Sequence, residues 1–307
     1  MQVRHAFTAI ALTAMAGLLA TACSASSAGT RPGVISAVGA ENEYANIISQ
    51  IGGKFVAVSA IESNPNTDPH TFEASPSVAR EVAEAQLIVQ NGIGYDTYMN
   101  RIESSSASSS RKVIDVQNLL GLPDSTPNPH LWYSPETMPK VAGAIAADLS
   151  KLSPAHAAYF RSNVTRFDKS LQPWLTAIAQ FKAAYAGTPV AVTEPVGDYM
   201  LQAVGADIKT PFGLQADIMN GVDLSPQYVS LQDSLFAQHK VKVFLYNQQV
   251  TDSVTKSFLA EANRYGIPVV GVYETMPTPG YKYQSWMLAE VNALRKAVAS
   301  RVSTEKL

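Results

Sequence analysis

Residues 134–185, SPETMPKVAGAIAADLSKLSPAHAAYFRSNVTRFDKSLQPWLTAIAQFKAAY, carry helical spacing almost throughout and divide the chain in two. Met138, Val141, Ile145, Leu149 and Leu152 recur on one helical face, with Pro135 near its start. Ser153-Pro154 then opens a second pattern that runs to about Tyr185, with Ser153 placed as an N-cap and Pro154 at the first helical position. A helix of that length approaches roughly 48 Å, more than one domain needs. Pro173 is expected to kink or interrupt it, and Gly187-Thr188-Pro189 ends it.

On either side the pattern changes to short apolar runs alternating with helical ones. Strands are predicted at Val34–Val38, Phe55–Ile61, Leu87–Val89 and Val113–Val116, and again at Val190–Val192, Val241–Tyr246 and Pro268–Val272. Most are continuously apolar, as parallel strands covered on both faces are. Helical stretches such as Tyr44–Ile51, Ser77–Ala85 and Ser253–Tyr265 lie between them. Ser104–Ser110 reads as an exposed loop, and no internal repeat is visible. The fold class is therefore α/β: two lobes with parallel β-sheets flanked by helices, joined by a long backbone helix, with a cleft between. The expected boundaries are 34–153 for the N-terminal lobe, 154–186 for the linking helix and 187–307 for the C-terminal lobe, two domains as 307 residues suggest.

The N-terminus is an address. Arg4 is followed by an apolar run from Ala6 to Leu19, too short to span a bilayer of about 30 Å but suited to a signal peptide. Ala20-Thr21-Ala22 precede the only cysteine, Cys23, the arrangement of a lipoprotein signal peptide (residues 1–22) with lipidation of Cys23; Ala20 stands where such signals usually have Leu or Val. The alternative is an ordinary secretory signal cleaved near Ala22, with Cys23 incidental. Residues 23–33, small and breaker-rich, read as a flexible tether. The protein is then extracytoplasmic and lipid-anchored to the cell membrane, on the periplasmic side or the outer face.

Composition removes several function classes. Twenty-three basic against 25 acidic side chains and a net charge of −2 leave no footprint for nucleic acid. One cysteine excludes a disulfide framework and thiolate-cluster metal sites. Of the five histidines, His5 leaves with the signal peptide, and His156 and His239 read as surface residues. His70 and His130 sit in matching phrases, Asp68-Pro69-His70 and Asn128-Pro129-His130, where proline stiffens each turn. Such turns can be turns and nothing more. Yet both follow the first-half strands, while Glu194 directly follows Val190–Val192 and Glu274 follows Pro268–Val272 within two residues. Ligands of open α/β sheets bind at the carboxyl ends of strands. Two imidazoles and two carboxylates would meet across the cleft and supply four N/O ligands to a divalent cation, with Asp198 the rival of Glu194.

The stretches DPHTFEASPSVAREVAEAQLIVQNGIGYDTYMNRI (68–102) and NPHLWYSPETMPKVAGAIAADLSKLSPAHAAYFRSN (128–163) resemble the two histidine loops of bacterial cluster A-I metal-binding lipoproteins. These are the solute-binding proteins of zinc and manganese ABC transporters. The likeness continues more weakly through VAVTEPVGDYML, VKVFLYNQQV and IPVVGVYETMPTPGYKY. It implies His70, His130, Glu194 and Glu274 as metal ligands, with Glu274 where most relatives have Asp. Asp223-Leu224-Ser225-Pro226 replaces the family's more usual Glu-Pro-Ser, and the His-rich loop of many zinc-type relatives has no counterpart. The resemblance implies no enzyme and no catalytic cofactor, but capture of Zn2+ or Mn2+, with zinc preferred by the Irving–Williams order. It also implies an ABC permease and ATPase as partners; a monomer is the default state. The rivals are a same-fold binder of a ferric siderophore or other organic ligand, a secreted zinc hydrolase, and an adhesin. No HExxH or nucleophile elbow supports the hydrolase.

Overall fold

A computed structural model describes residues 33–307; the stretch expected as a signal peptide (1–22), Cys23 and nearly all of the expected tether lie outside the described residues. The chain begins with β1 (Ile35–Glu41), α1 (Asn42–Gly52), β2 (Val56–Glu62), α2 (Pro76–Glu84), β3 (Leu87–Gln90), α3 (Thr97–Ser105), β4 (Lys112–Asp115), α4 (Val116–Leu120) and α5 (Thr137–Leu152). Next come α6 (Ala157–Ser170) and α7 (Gln172–Tyr185). The remainder is β5 (Pro189–Val192), α8 (Asp198–Ala203), β6 (Asp207–Ile208), α9 (Phe212–Met219), α10 (Pro226–Ala237), β7 (Val243–Asn247), α11 (Ser253–Arg264), β8 (Val269–Val272) and α12 (Tyr283–Ser300).

All strand pairs within the two sheets are parallel, in the orders β2-β1-β3-β4 and β6-β5-β7-β8. Both sheets thus have one topology, a likeness the letters do not show because a buried parallel strand asks only for an apolar run. Side-chain alternation divides the packing. Ile35, Ala37, Leu87, Val89, Val190, Val192, Val243, Leu245, Val270 and Val272 enter one core shared by both sheets. Val38, Ala40 and Ile88 pack on the opposite face of the first sheet, and Ala191, Phe244, Tyr246 and Val269 on that of the second. β6 has only two residues, too short to register as an apolar run. Gly39 lets α1 start directly at the end of β1, since a Cβ there would run into the backbone of Ala45.

The linking segment is not one helix. A 3-10 turn over Pro154–His156 precedes α6, and α6 and α7 meet at Leu171, which keeps right-handed helical angles. Pro173 lies in the first turn of α7, where it has no N–H to give to the carbonyl of Lys169. Ser153 does not cap the backbone with its side chain; its hydroxyl pairs with His156 Nδ1 at 2.8 Å. The imidazole of His156 stacks on Phe55 at 3.7 Å between ring centres. Ser104 and Ser105, expected in a loop, complete α3. α12 supplies a second connection between the two sheets' layers. Its buried stripe of Tyr283, Trp286, Met287, Glu290, Val291 and Leu294 packs into the shared core. Tyr283 accepts no help from solvent: its hydroxyl donates to Trp132 O at 2.6 Å and its N–H to Asn46 Oδ1 at 3.1 Å.

Candidate metal centre

Each Asx-Pro-His phrase builds a fixed turn. The Asp68 carboxylate accepts the His70 N–H at 2.8 Å, and the Thr71 hydroxyl donates to Asp68 O at 2.8 Å. In the second phrase, Asn128 Oδ1 accepts both the His130 N–H at 3.0 Å and Nδ1 at 2.8 Å. Asn128 Nδ2 donates to Pro195 O at 2.7 Å, which fixes the amide's orientation. Asn128 Oδ1 thus receives the Nδ1–H of His130, and Nε2 is directed at Glu274 Oε2, 3.1 Å away. Asn91, at the end of β3, holds the Pro129 carbonyl at 2.8 Å and so steadies the same turn.

His70 Nε2 also lies 3.1 Å from Glu274 Oε2. One atom from each of His70, His130 and Glu274 falls within 4.8 Å of the others. Glu194 lies outside this group of three and is linked to it through Asn247, whose Nδ2 donates to Glu194 Oε2 at 2.5 Å and to Glu274 Oε1 at 2.7 Å. Among the described residues, buried Glu194 Oε1 has no hydrogen-bond partner. Asp198 opens α8, no hydrogen bond joins it to this group, and burial alone pushes its carboxyl up to about 7. Among the described residues, none of the four side chains pairs with a lysine or arginine.

Electrostatics divide the four. Burial favours the neutral form of Glu274, but the hydrogen bonds of both imidazoles outweigh it and hold the carboxyl below the usual range. Burial lowers His130, which stays neutral despite its contact with Glu274. Burial works against the charged form of His70 too, yet the Glu274 hydrogen bond and charge win and raise it. Glu194 is raised by burial first and by the Glu274 charge second. Two imidazoles and two carboxylates, all acceptors once deprotonated, suit a divalent cation that supplies the missing positive charge. Only His70 meets solvent, its side chain 23% exposed at a cavity of about 640 Å3 lined also by Asp68, Thr71, Gln249, Thr251 and Asp252.

Several residues that shape this centre have no place in the reading of the sequence. Tyr95 donates its phenol to Glu274 Oε2 at 3.0 Å. Gln249 Oε1 accepts the backbone N–H of Glu274 at 2.7 Å and of Thr275 at 2.8 Å, while its Nε2 donates to Thr67 O at 2.8 Å in the His70 loop. Asn42, at the start of α1, clasps both backbone groups of Met276. Asn247 and Gln249 follow an apolar run at a strand's carboxyl end, which is the signal that could have found them.

The model of the family described as ZnuA, zinc-uptake complex component A, periplasmic, matches residues 38–297. The manganese-binding lipoprotein MntA of Bacillus subtilis (strain 168) is 26% identical over 137 residues, 43% of this chain and 44% of that protein. The chain thus spans less than half the length of that relative. FimA, a metal ABC transporter substrate-binding lipoprotein of Streptococcus parasanguinis, is 23% identical over 268 residues, 80% of this chain and 82% of its own. The solved structure of the periplasmic zinc-binding protein TroA from Treponema pallidum shares the fold with a TM-score of 0.73 at 18% identity, covering 88% of this chain and 100% of that one. With a matching family model over most of its length and the same two-sheet fold, the chain belongs to the ZnuA family, the cluster A-I solute-binding proteins of metal ABC transporters.

Proposed function

We propose that this protein captures a divalent transition metal, Zn2+ or Mn2+, outside the cytoplasm and delivers it to the permease and ATPase of an ABC importer. His70, His130, Glu194 and Glu274 are the ligands in this reading. Residues 34–153 and 187–307 form the lobes on either side of the linking segment 154–186, and Cys23 carries the lipid anchor. The observation that supports it most is the convergence of His70 Nε2 and His130 Nε2 on one oxygen of a buried, ionised Glu274. Two carboxylates neutralise a dication, which permits its burial. Four protein ligands leave little room for an activated water, so the site suits binding rather than hydrolysis.

The purified protein, stripped and then offered equimolar zinc and manganese at neutral pH, is expected to carry one metal per chain by native mass spectrometry. The His70→Ala variant is expected to carry none at the same concentrations. A wild-type chain that takes up no metal would contradict the proposal and turn attention to an organic ligand.

A further inference from the structure

Asn247 closes β7 and is wholly buried. Its Oδ1 accepts the Gln249 N–H at 3.0 Å, and its own N–H is taken by Thr193 Oγ1 at 3.0 Å. The amide can therefore face only one way. A flip would set an oxygen against two carboxylates and an NH2 group against a backbone N–H. Its two N–H groups are shared between the glutamates, one to Glu194 Oε2 and one to Glu274 Oε1.

Each carboxylate is left with one oxygen uncommitted to that amide. Glu274 Oε2 is the atom both imidazoles approach, and the Tyr95 phenol holds it from another side. Glu194 Oε1 is buried and, among the described residues, unpartnered. Resting on the four-residue site proposed above, we infer that Asn247 is a specificity-determining residue that restricts both glutamates to one ligand oxygen each, and so sets the site for zinc against manganese. Two nitrogens and two oxygens match the four-coordinate shell zinc accepts. Manganese favours six ligands rich in oxygen, which here requires a carboxylate to chelate through both oxygens. Turning either carboxylate to do so draws an oxygen away from Asn247 and leaves a buried N–H without a partner. The length of the Glu274 side chain does not release it from this restraint, because Asn247 grips the carboxylate itself.

The test pairs affinity with coordination. Zinc and manganese dissociation constants are measured by chelator competition for wild type, Asn247→Ser and Asn247→Leu. X-ray absorption spectra are recorded for the wild type loaded with each metal. The expected result is a fall in the zinc-to-manganese preference of about 10–100-fold in both variants, the scale on which groups that orient ligands act. Wild-type zinc is expected to show four light-atom neighbours, and wild-type manganese only monodentate carboxylates. A chelating carboxylate in the wild type would overturn the inference, and decides it even where neither variant folds. An unchanged preference with one metal still bound per chain would also overturn it while leaving the transport reading intact. Failure of the wild type to bind either metal would overturn both.

Discussion

Glu274→Ala is expected to weaken zinc binding by more than about 100-fold at pH 7.5, beyond the usual effect of losing a residue that only orients a ligand. The loss goes beyond the single donor oxygen. Glu274 Oε2 is the point on which His70, His130 and Tyr95 converge, and Oε1 takes one of the two Asn247 N–H groups. Without it the imidazoles lose their common acceptor, and the dication loses half of the negative charge that offsets its burial. Glu274→Gln, which keeps the shape and one oxygen but not the charge, is expected to fall between. Chelator competition measures the affinities, and thermal unfolding with and without zinc gives an independent reading, because binding stabilises only what it binds. Zinc should raise the wild-type midpoint and leave that of Glu274→Ala almost unmoved. An alanine variant that retains wild-type affinity would remove Glu274 from the site.

The second large effect is a pair of opposed pH dependences. Burial pushes Glu43 and Glu290 up to about 8, Glu62 to about 9 and Asp198 to about 7. Each keeps its proton in the folded chain at pH values where the unfolded chain has released it. The stability these groups contribute is therefore fully present below the ordinary carboxyl range of about 4 and is lost as pH rises through 7 to 9. His70, whose folded value is raised, acts with the same sign above its ordinary value; His130, whose value is lowered, acts with the opposite sign below it. Each excess proton held by the folded state contributes about 1.4 kcal/mol per pH unit, so several together make a steep slope. The metal-free protein is thus expected to melt at a lower temperature at pH 8 than at pH 5. Metal binding runs the other way. His70 and Glu194, both raised, must give up protons to become ligands, so affinity rises with pH and falls as the solution is acidified. Calorimetric scans across this range, in chelator and in zinc, should show the gap between the two midpoints widening with pH. A metal-free midpoint that climbs from pH 5 to pH 8 would contradict the account of the buried carboxyls.

The division into two parallel sheets is legible because the buried strands are written as apolar runs, Leu87 to Val89 in β3 and Val243 to Tyr246 in β7. His70 and His130 are legible because proline marks their turns. The acceptor role of Asp68 and Asn128 was present in the same two phrases, as Asx residues two positions before an N–H that needs a partner. Asn247, Gln249 and Tyr95 are harder to see. An amide or phenol does not titrate near neutral pH and follows no ligand spacing, so its importance comes only from what the fold sets beside it. α12 hides for a related reason: Glu290 breaks its apolar stripe, and only the structure supplies the Trp286 indole and Tyr133 hydroxyl that accommodate that carboxyl in the core. By contrast, the spacing of residues 154–185 reveals helix, and Pro173, through its missing N–H, marks where the hydrogen-bond ladder parts.

The most direct test of the central claim is an anomalous-scattering map from crystals grown with zinc. The account predicts one strong peak per chain, within ligand distance of His70 Nε2, His130 Nε2, Glu274 Oε2 and Glu194 Oε1. A peak held by other residues, or none at full zinc occupancy in solution, would contradict it.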